Sequence, residues 1–164
     1  MKSKLTHMTR ALTVAALLLV NMGVSAEGMD EQQTAVLKVL TQYHAALQNL
    51  TTDGTFELFT EDAQVYEQGG VEGFYPHYVE HHLGPELGHF ERFTFSDESV
   101  NIEVLKDLAL VTQTYQYTIV TKASPERESR IIEKQGLATS VLIKTDEGWK
   151  IKRTHSSSRA LKKK

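Results

Sequence analysis

The segment GWKIKRTHSSS, Gly148 to Ser158, decides how this chain is read. Trp149 and Ile151 stand two apart among polar residues, the spacing of a strand buried on one face. Strict alternation then groups Arg153, His155 and Ser157 with Trp149 and Ile151, and sets Lys150, Lys152, Thr154, Ser156 and Ser158 on the opposite face. On this reading Arg153 and His155 point inward, at the polar end of a strand whose other end is core.

Upstream, 90–95 (FERFTF), 100–105 (VNIEVL), 108–120 and 128–143 are rich in β-branched and aromatic residues and read as further strands. KASPE (Lys122 to Glu126) and TDEG (Thr145 to Gly148) supply turn chemistry between the three longest, which predicts an antiparallel meander. The first part of the chain has a different period. Val36, Leu40, Tyr43, Leu47 and Leu50 recur at helical spacing and form one apolar face. Phe56, Leu58 and Phe59 suggest a second, brief helix, and 63–67 a strand closed by Gly69-Gly70. A third helix is predicted over 74–83, with Pro76 in its first turn and Gly84-Pro85 ending it. His82 and Glu86 then fall on either side of a break, and their spacing of four does not by itself put them on one helical face. Three helices followed by a curved antiparallel sheet make an α+β fold in which helices cover one sheet face.

The chain has 164 residues, 40% apolar and 24% charged, which fits one globular domain. Its start stands apart: Lys2, Lys4 and Arg10 precede the apolar run Ala11 to Val20, and Val24-Ser25-Ala26 has the small-x-small form of a signal-peptidase site. Residues 1–26 read as a secretory signal and 27–164 as the domain. The apolar run falls well short of the roughly 20 residues that span a bilayer, so no membrane association is expected after cleavage. Cleavage after Ala26 removes three basic residues and no acid, moving the formal charge from −3 to −6. That charge argues against a nucleic-acid partner. With no cysteine there is no disulfide, thiolate metal site or thiol nucleophile. A bacterial periplasm is the expected compartment.

The order of elements, together with Glu67, Gly69-Gly70, Glu72-Gly73, Tyr78, His82-Leu83, Glu86-Leu87, Gly136, Thr139 and the closing run Trp149 to Arg159, resembles the NTF2-like superfamily and within it the SnoaL-like group. The resemblance covers nearly all of 27–164. It implies a cone, a strongly bent sheet around a long helix with a cavity between them, in homodimers packed through the outer sheet. It implies no single activity, because the superfamily includes isomerases, dehydratases, cyclases, transport factors and assembly domains. In the close subgroup the final strand carries two histidines one residue apart; here Arg153 and His155 stand in those places.

Within such a cone the expected ligand is a small, partly apolar molecule. Tyr43, Tyr66, Tyr78 and Trp149 are candidate walls, with Phe59, Phe74 and Tyr115 or Tyr117, and His82, Glu86, Arg153 and His155 form the polar end. An alternative is an isomerase, dehydratase or cyclase in which His155 or His82 is the general base and Tyr78 or Arg153 stabilises negative charge. A third is a divalent-metal site from His82, Glu86 and His155, with Glu67 or Glu72 added, since imidazole and carboxylate suit transition ions. Arg153 weighs against it by competing for the carboxylate. His44, His77, His81 and His89 are read as structural.

Overall fold

The computed structural model describes residues 28–161. The expected signal segment, 1–26, and Lys162 to Lys164 lie outside the described residues. Helix α1 (Glu31–Gln48) starts at Asp30, whose carboxylate accepts from the Gln33 amide at 2.8 Å while the Gln33 side chain accepts from the Asp30 amide at 3.0 Å. This reciprocal cap satisfies two amides that a helix start otherwise leaves free. The expected face of α1 is the one buried: Val36, Leu40 and Leu47 enter the core, and Tyr43 and Leu50 pack at its border.

The sheet has the order β2-β1-β6-β5-β4-β3. Its strands are β1 (Phe59–Glu67), β2 (Gly70–Phe74), β3 (Phe90–Leu105), β4 (Leu108–Thr121), β5 (Ile131–Thr145) and β6 (Gly148–Ala160). Strands β4 to β6 form the expected meander and β3 extends it, but β1 joins β6 in parallel, so the sheet is mixed. Gly69-Gly70 does not close a lone strand; it turns β1 into β2. The segments 90–95 and 100–105 are one strand interrupted by an irregularity between Ser96 and Ser99.

Two helices cover the curved sheet, with a short 3-10 turn at Phe56–Leu58 where a further helix was expected. The second, α2 (75–89), passes straight through Gly84-Pro85. Its first turn is Tyr75–Tyr78, its middle Val79–Leu83 is π-helical, and its last part is Gly84–His89. The expected break at Gly84 does not occur. Pro85 has no amide hydrogen and its ring crowds the carbonyl four residues earlier. The wider turn, in which the Gly84 amide donates to Val79 O, accommodates this without ending the helix. Gly84 is required there, since a Cβ would lie 2.7 Å from Val79 O.

The core lies between α1, α2 and the inner sheet face. Leu142 and Ile151 are almost fully enclosed, and Tyr75 stacks on Phe59 at 3.5 Å with its hydroxyl donating to Thr55 at 2.7 Å. Trp149 is buried in this core, its indole NH donating to Gln32 at 3.3 Å.

Candidate functional site

Two β-bulges decide which polar residues face the helices. In β6, Ile151 pairs with Leu142 but Arg153 with Val141, so Lys152 is an extra residue and the alternation reverses beyond Ile151. Thr154, Ser156 and Ser158 therefore line the interior, while Arg153 and His155 turn to the exposed face. The expectation that Arg153 and His155 point inward is overturned. Arg153 donates to Gln64 at 3.2 Å and lies 5.9 Å from the centre of the Tyr66 ring, and His155 Nε2 donates to Gln68 O at 2.9 Å. Tyr66, the register partner of His155, is carried outward with it.

The second bulge turns Glu98 inward. Between Ser96 and Ser99 β3 holds one residue more than β4, and Asp97 takes a φ of 49°, a left-handed conformation that Asp tolerates better than most residues. Before the bulge Phe93 and Phe95 face in; after it Glu98, Val100 and Ile102 do.

These elements enclose a cavity of about 140 Å³. Its walls are aromatic, with Tyr43, Phe59, Phe93, Phe95, Tyr115 and Tyr117 among the lining residues. Tyr78 joins them, whereas Tyr66, Phe74 and Trp149 do not. Tyr115 lies across Gly136, where a Cβ would come within 2.2 Å of its ring. Burial pushes the Tyr43, Tyr78 and Tyr115 hydroxyls up, so all three stay protonated donors at neutral pH.

At the inner end His44, read from sequence as structural, lines the cavity. Its Nδ1 donates to Glu98 Oε2 at 2.8 Å, and its ring stacks on Phe95 at 4.1 Å. Both side chains are nearly buried, 7% and 11% exposed. A carboxylate that accepts from Nδ1–H fixes the orientation of the imidazole. Beside them Gln113 is 8% exposed and its side chain has no hydrogen-bond partner among the described residues. No buried side-chain nitrogen or oxygen among the described residues is sealed without a partner, so this carboxamide keeps some open space, and it lines both the cavity and a small adjoining pocket beside Leu37, Thr41 and Glu98.

The other polar end is at the mouth. His82 Nδ1 donates to Glu72 at 2.9 Å, and its Nε2 lies 3.5 Å from Glu86 and 3.8 Å from Glu67. The Tyr78 hydroxyl donates to Glu67 at 2.9 Å. His82 and Glu86 are four residues apart on an unbroken helix, which corrects the expected separation. Burial works against a charged His82, but the Glu72 hydrogen bond and the charges of Glu86 and Glu67 raise its pKa overall. Burial and the Glu67 charge also raise the pKa of Glu86 against the pull of His82.

The expected metal set is not assembled, because His155 is on the outer face. Among the described residues no group of three or more His, Asp or Glu side chains is arranged to hold a metal ion. His44, Glu98 and Gln113 are the site residues that sequence reasoning missed. His44 follows Tyr43 on a helix with one expected inward face, and Glu98 and Gln113 depend on strand register. The histidine beside the apolar stripe of α1 was the one available signal.

No curated protein matches the chain. Among solved structures it is similar to a candidate dehydratase of the NTF2-like family from Streptomyces avermitilis, with 18% identity, TM-score 0.69, and 81% of this chain and 100% of that one covered. A candidate ketosteroid isomerase from Shewanella frigidimarina matches with 28% identity, TM-score 0.64, and coverage of 75% and 94%. A candidate calcium/calmodulin-dependent kinase II association domain from Xanthomonas campestris matches with 19% identity, TM-score 0.60, and coverage of 82% and 93%. The SnoaL-like domain model matches residues 36–161, nearly the whole span from α1 to the end of β6. The chain therefore belongs to the SnoaL-like domain family of the NTF2-like superfamily.

Proposed function

We propose that this chain is an exported protein, periplasmic in a bacterium, that binds one small, partly apolar molecule in its cone. The observation that carries this reading is the aromatic cavity, with the buried, unpartnered Gln113 in its lining. Apolar walls with a few converging polar groups are the usual form of a small-ligand site. The test is a thermal-shift and calorimetric screen of ring-sized neutral and charged compounds against the mature chain and Ala138→Leu, which fills the cavity floor. Compounds that stabilise the wild type and not the filled variant support the reading. A screen without binders, or binders indifferent to Ala138→Leu, contradicts it.

A second reading, an isomerase or dehydratase, is favoured by the His44–Glu98 pair. In this reading His44, oriented by Glu98 and lining the cavity, takes the general-base role expected of His155. Tyr43, Tyr78 and Tyr115 are protonated donors that could stabilise developing negative charge. Conversion of a bound compound, followed by NMR, should disappear in His44→Gln while binding persists. The proposed assembly is a homodimer, with the exposed Leu110 and Leu137 of the outer sheet face in its interface.

A further inference from the structure

The charges around the cavity are one-sided. Glu67 and Glu86 line it, and among the described residues no lysine or arginine does. Sequence alternation would have supplied Arg153 as a counter-ion, but the Lys152 bulge sends it to the opposite face, over Tyr66. At the mouth three carboxylates, Glu67, Glu72 and Glu86, meet the single imidazole of His82. A negative surplus persists even with that imidazole protonated. Lys134 of β5 acts on Glu86 from further away and makes no ion pair with it among the described residues. Glu86 is accordingly held above the ordinary carboxylate range, by burial first and by the Glu67 charge next after the offsetting pull of His82.

The walls favour the same kind of ligand. Eight of the chain's twelve Phe and Tyr rings line the cavity. Ring faces are electron-rich and attract an organic cation, most strongly where water is excluded. Sheet register gives the site its length. Glu67 pairs with Ser156, Ser156 with Ala138, and Ala138 with Gln113, so one cross-strand row runs from the carboxylate to the unpartnered carboxamide. Three strand spacings amount to about 14 Å along the sheet, less across its curved inner face. The small side chains of Ala138 and Ser156 leave the floor of this row open.

We propose that the ligand of the cone is an organic cation: a ring-bearing amine whose ammonium meets Glu67 and Glu86 from the cavity, beside the His82 imidazole, whose ring lies against the aromatic walls, and whose far end reaches Gln113. This rests on the small-molecule reading above and names its ligand class. The ammonium takes up the carboxylate surplus that His82 leaves, and a polar group at the far end takes up the open amide of Gln113. A primary amine has enough donors to bond both carboxylates.

The experiment compares matched probes on the mature chain by calorimetry and thermal shift: tyramine and 2-phenylethylamine, the neutral 2-phenylethanol, and the anionic 3-phenylpropionate. The expected result is binding of both amines, at least tenfold tighter than the alcohol, with no binding of the carboxylate. Glu67→Gln keeps an acceptor for the Tyr78 hydroxyl and removes the charge. It should weaken the amines at least tenfold while the ligand-free protein still unfolds in one cooperative transition. Gln113→Leu should weaken tyramine more than 2-phenylethylamine, since only tyramine carries a group to reach it. Equal or tighter binding of the alcohol or the carboxylate overturns the cationic class while leaving a small-molecule site in place. Amine binding unchanged in Glu67→Gln also overturns it. If no probe binds and the broader neutral screen is empty as well, both this inference and the reading beneath it fail.

Discussion

At the scale of single residues, the site depends on groups whose partners are fixed by close contact. Gly136 is one. Tyr115 lies over it while also packing edge-on against His44 at 5.5 Å and Phe95 at 5.2 Å, so its ring has nowhere to retreat. Gly136→Ala is expected to cost about 1–3 kcal/mol by overpacking, measured by denaturant unfolding, and to displace a ring of the cavity wall. His82 gives a second expectation. Its pKa is raised from 6.5, so its contribution to stability is complete below that value and is lost as pH rises through the raised one. Glu86, raised from 4.5, acts in the same direction, because ionising it is harder in the folded state. Unfolding midpoints should therefore fall from mildly acid to alkaline pH. In His82→Gln the part of that fall just above pH 6.5 should vanish, while the alkaline part set by the buried tyrosines persists; an unchanged profile would show that the carboxylates do not hold the imidazole as described.

Among the elements, β6 carries the sharpest lesson. The repeat of Trp149 and Ile151 identified a strand correctly, yet the faces assigned beyond Ile151 were reversed by one inserted residue. The chain has no cysteine, so single substitutions report facing directly. His155→Cys should react quickly with a bulky maleimide and Ser156→Cys slowly. The reverse order would restore strict alternation and remove the bulge. The π turn of α2 is the helical counterpart: Gly84-Pro85 is a sound stop signal locally, and the extra width of the turn overrides it. The His82–Glu86 contact follows from that continuity. Both departures lie beside the cavity, in keeping with the tendency of bulges and π turns to accompany functional sites.

For the whole molecule, the family and the cone follow from the match over 36–161 and from the sheet order. Activity does not, since structures of similar fold carry names as unlike as dehydratase, isomerase and kinase association domain. The outer face of β4 and β5 exposes Leu110 at 40% and Leu137 at 43%. Sedimentation of residues 27–164 should give the mass of the proposed dimer, and Leu137→Glu should shift it toward the monomer. A monomeric wild type would leave that face without the proposed role.

Composition, helical spacing in α1 and alternation in the β strands determined the class of fold, because each is a short-range property that buried surface selects directly. The resemblance to the SnoaL-like group rested on that order together with particular residues such as Glu67 and Gly136. Tyr78, His82 and Glu86 could be singled out as polar or aromatic groups next to a helix signal. Only the tertiary structure decided their company. It brought Glu67 and Glu72 from β1 and β2 onto His82, made His44 and Glu98 a buried pair, and moved Arg153 and His155 outside. The reason is physical: where a strand absorbs an extra residue, and whether a helix survives a proline, is settled by the neighbours that supply or withhold hydrogen bonds and room, and those neighbours are distant in sequence.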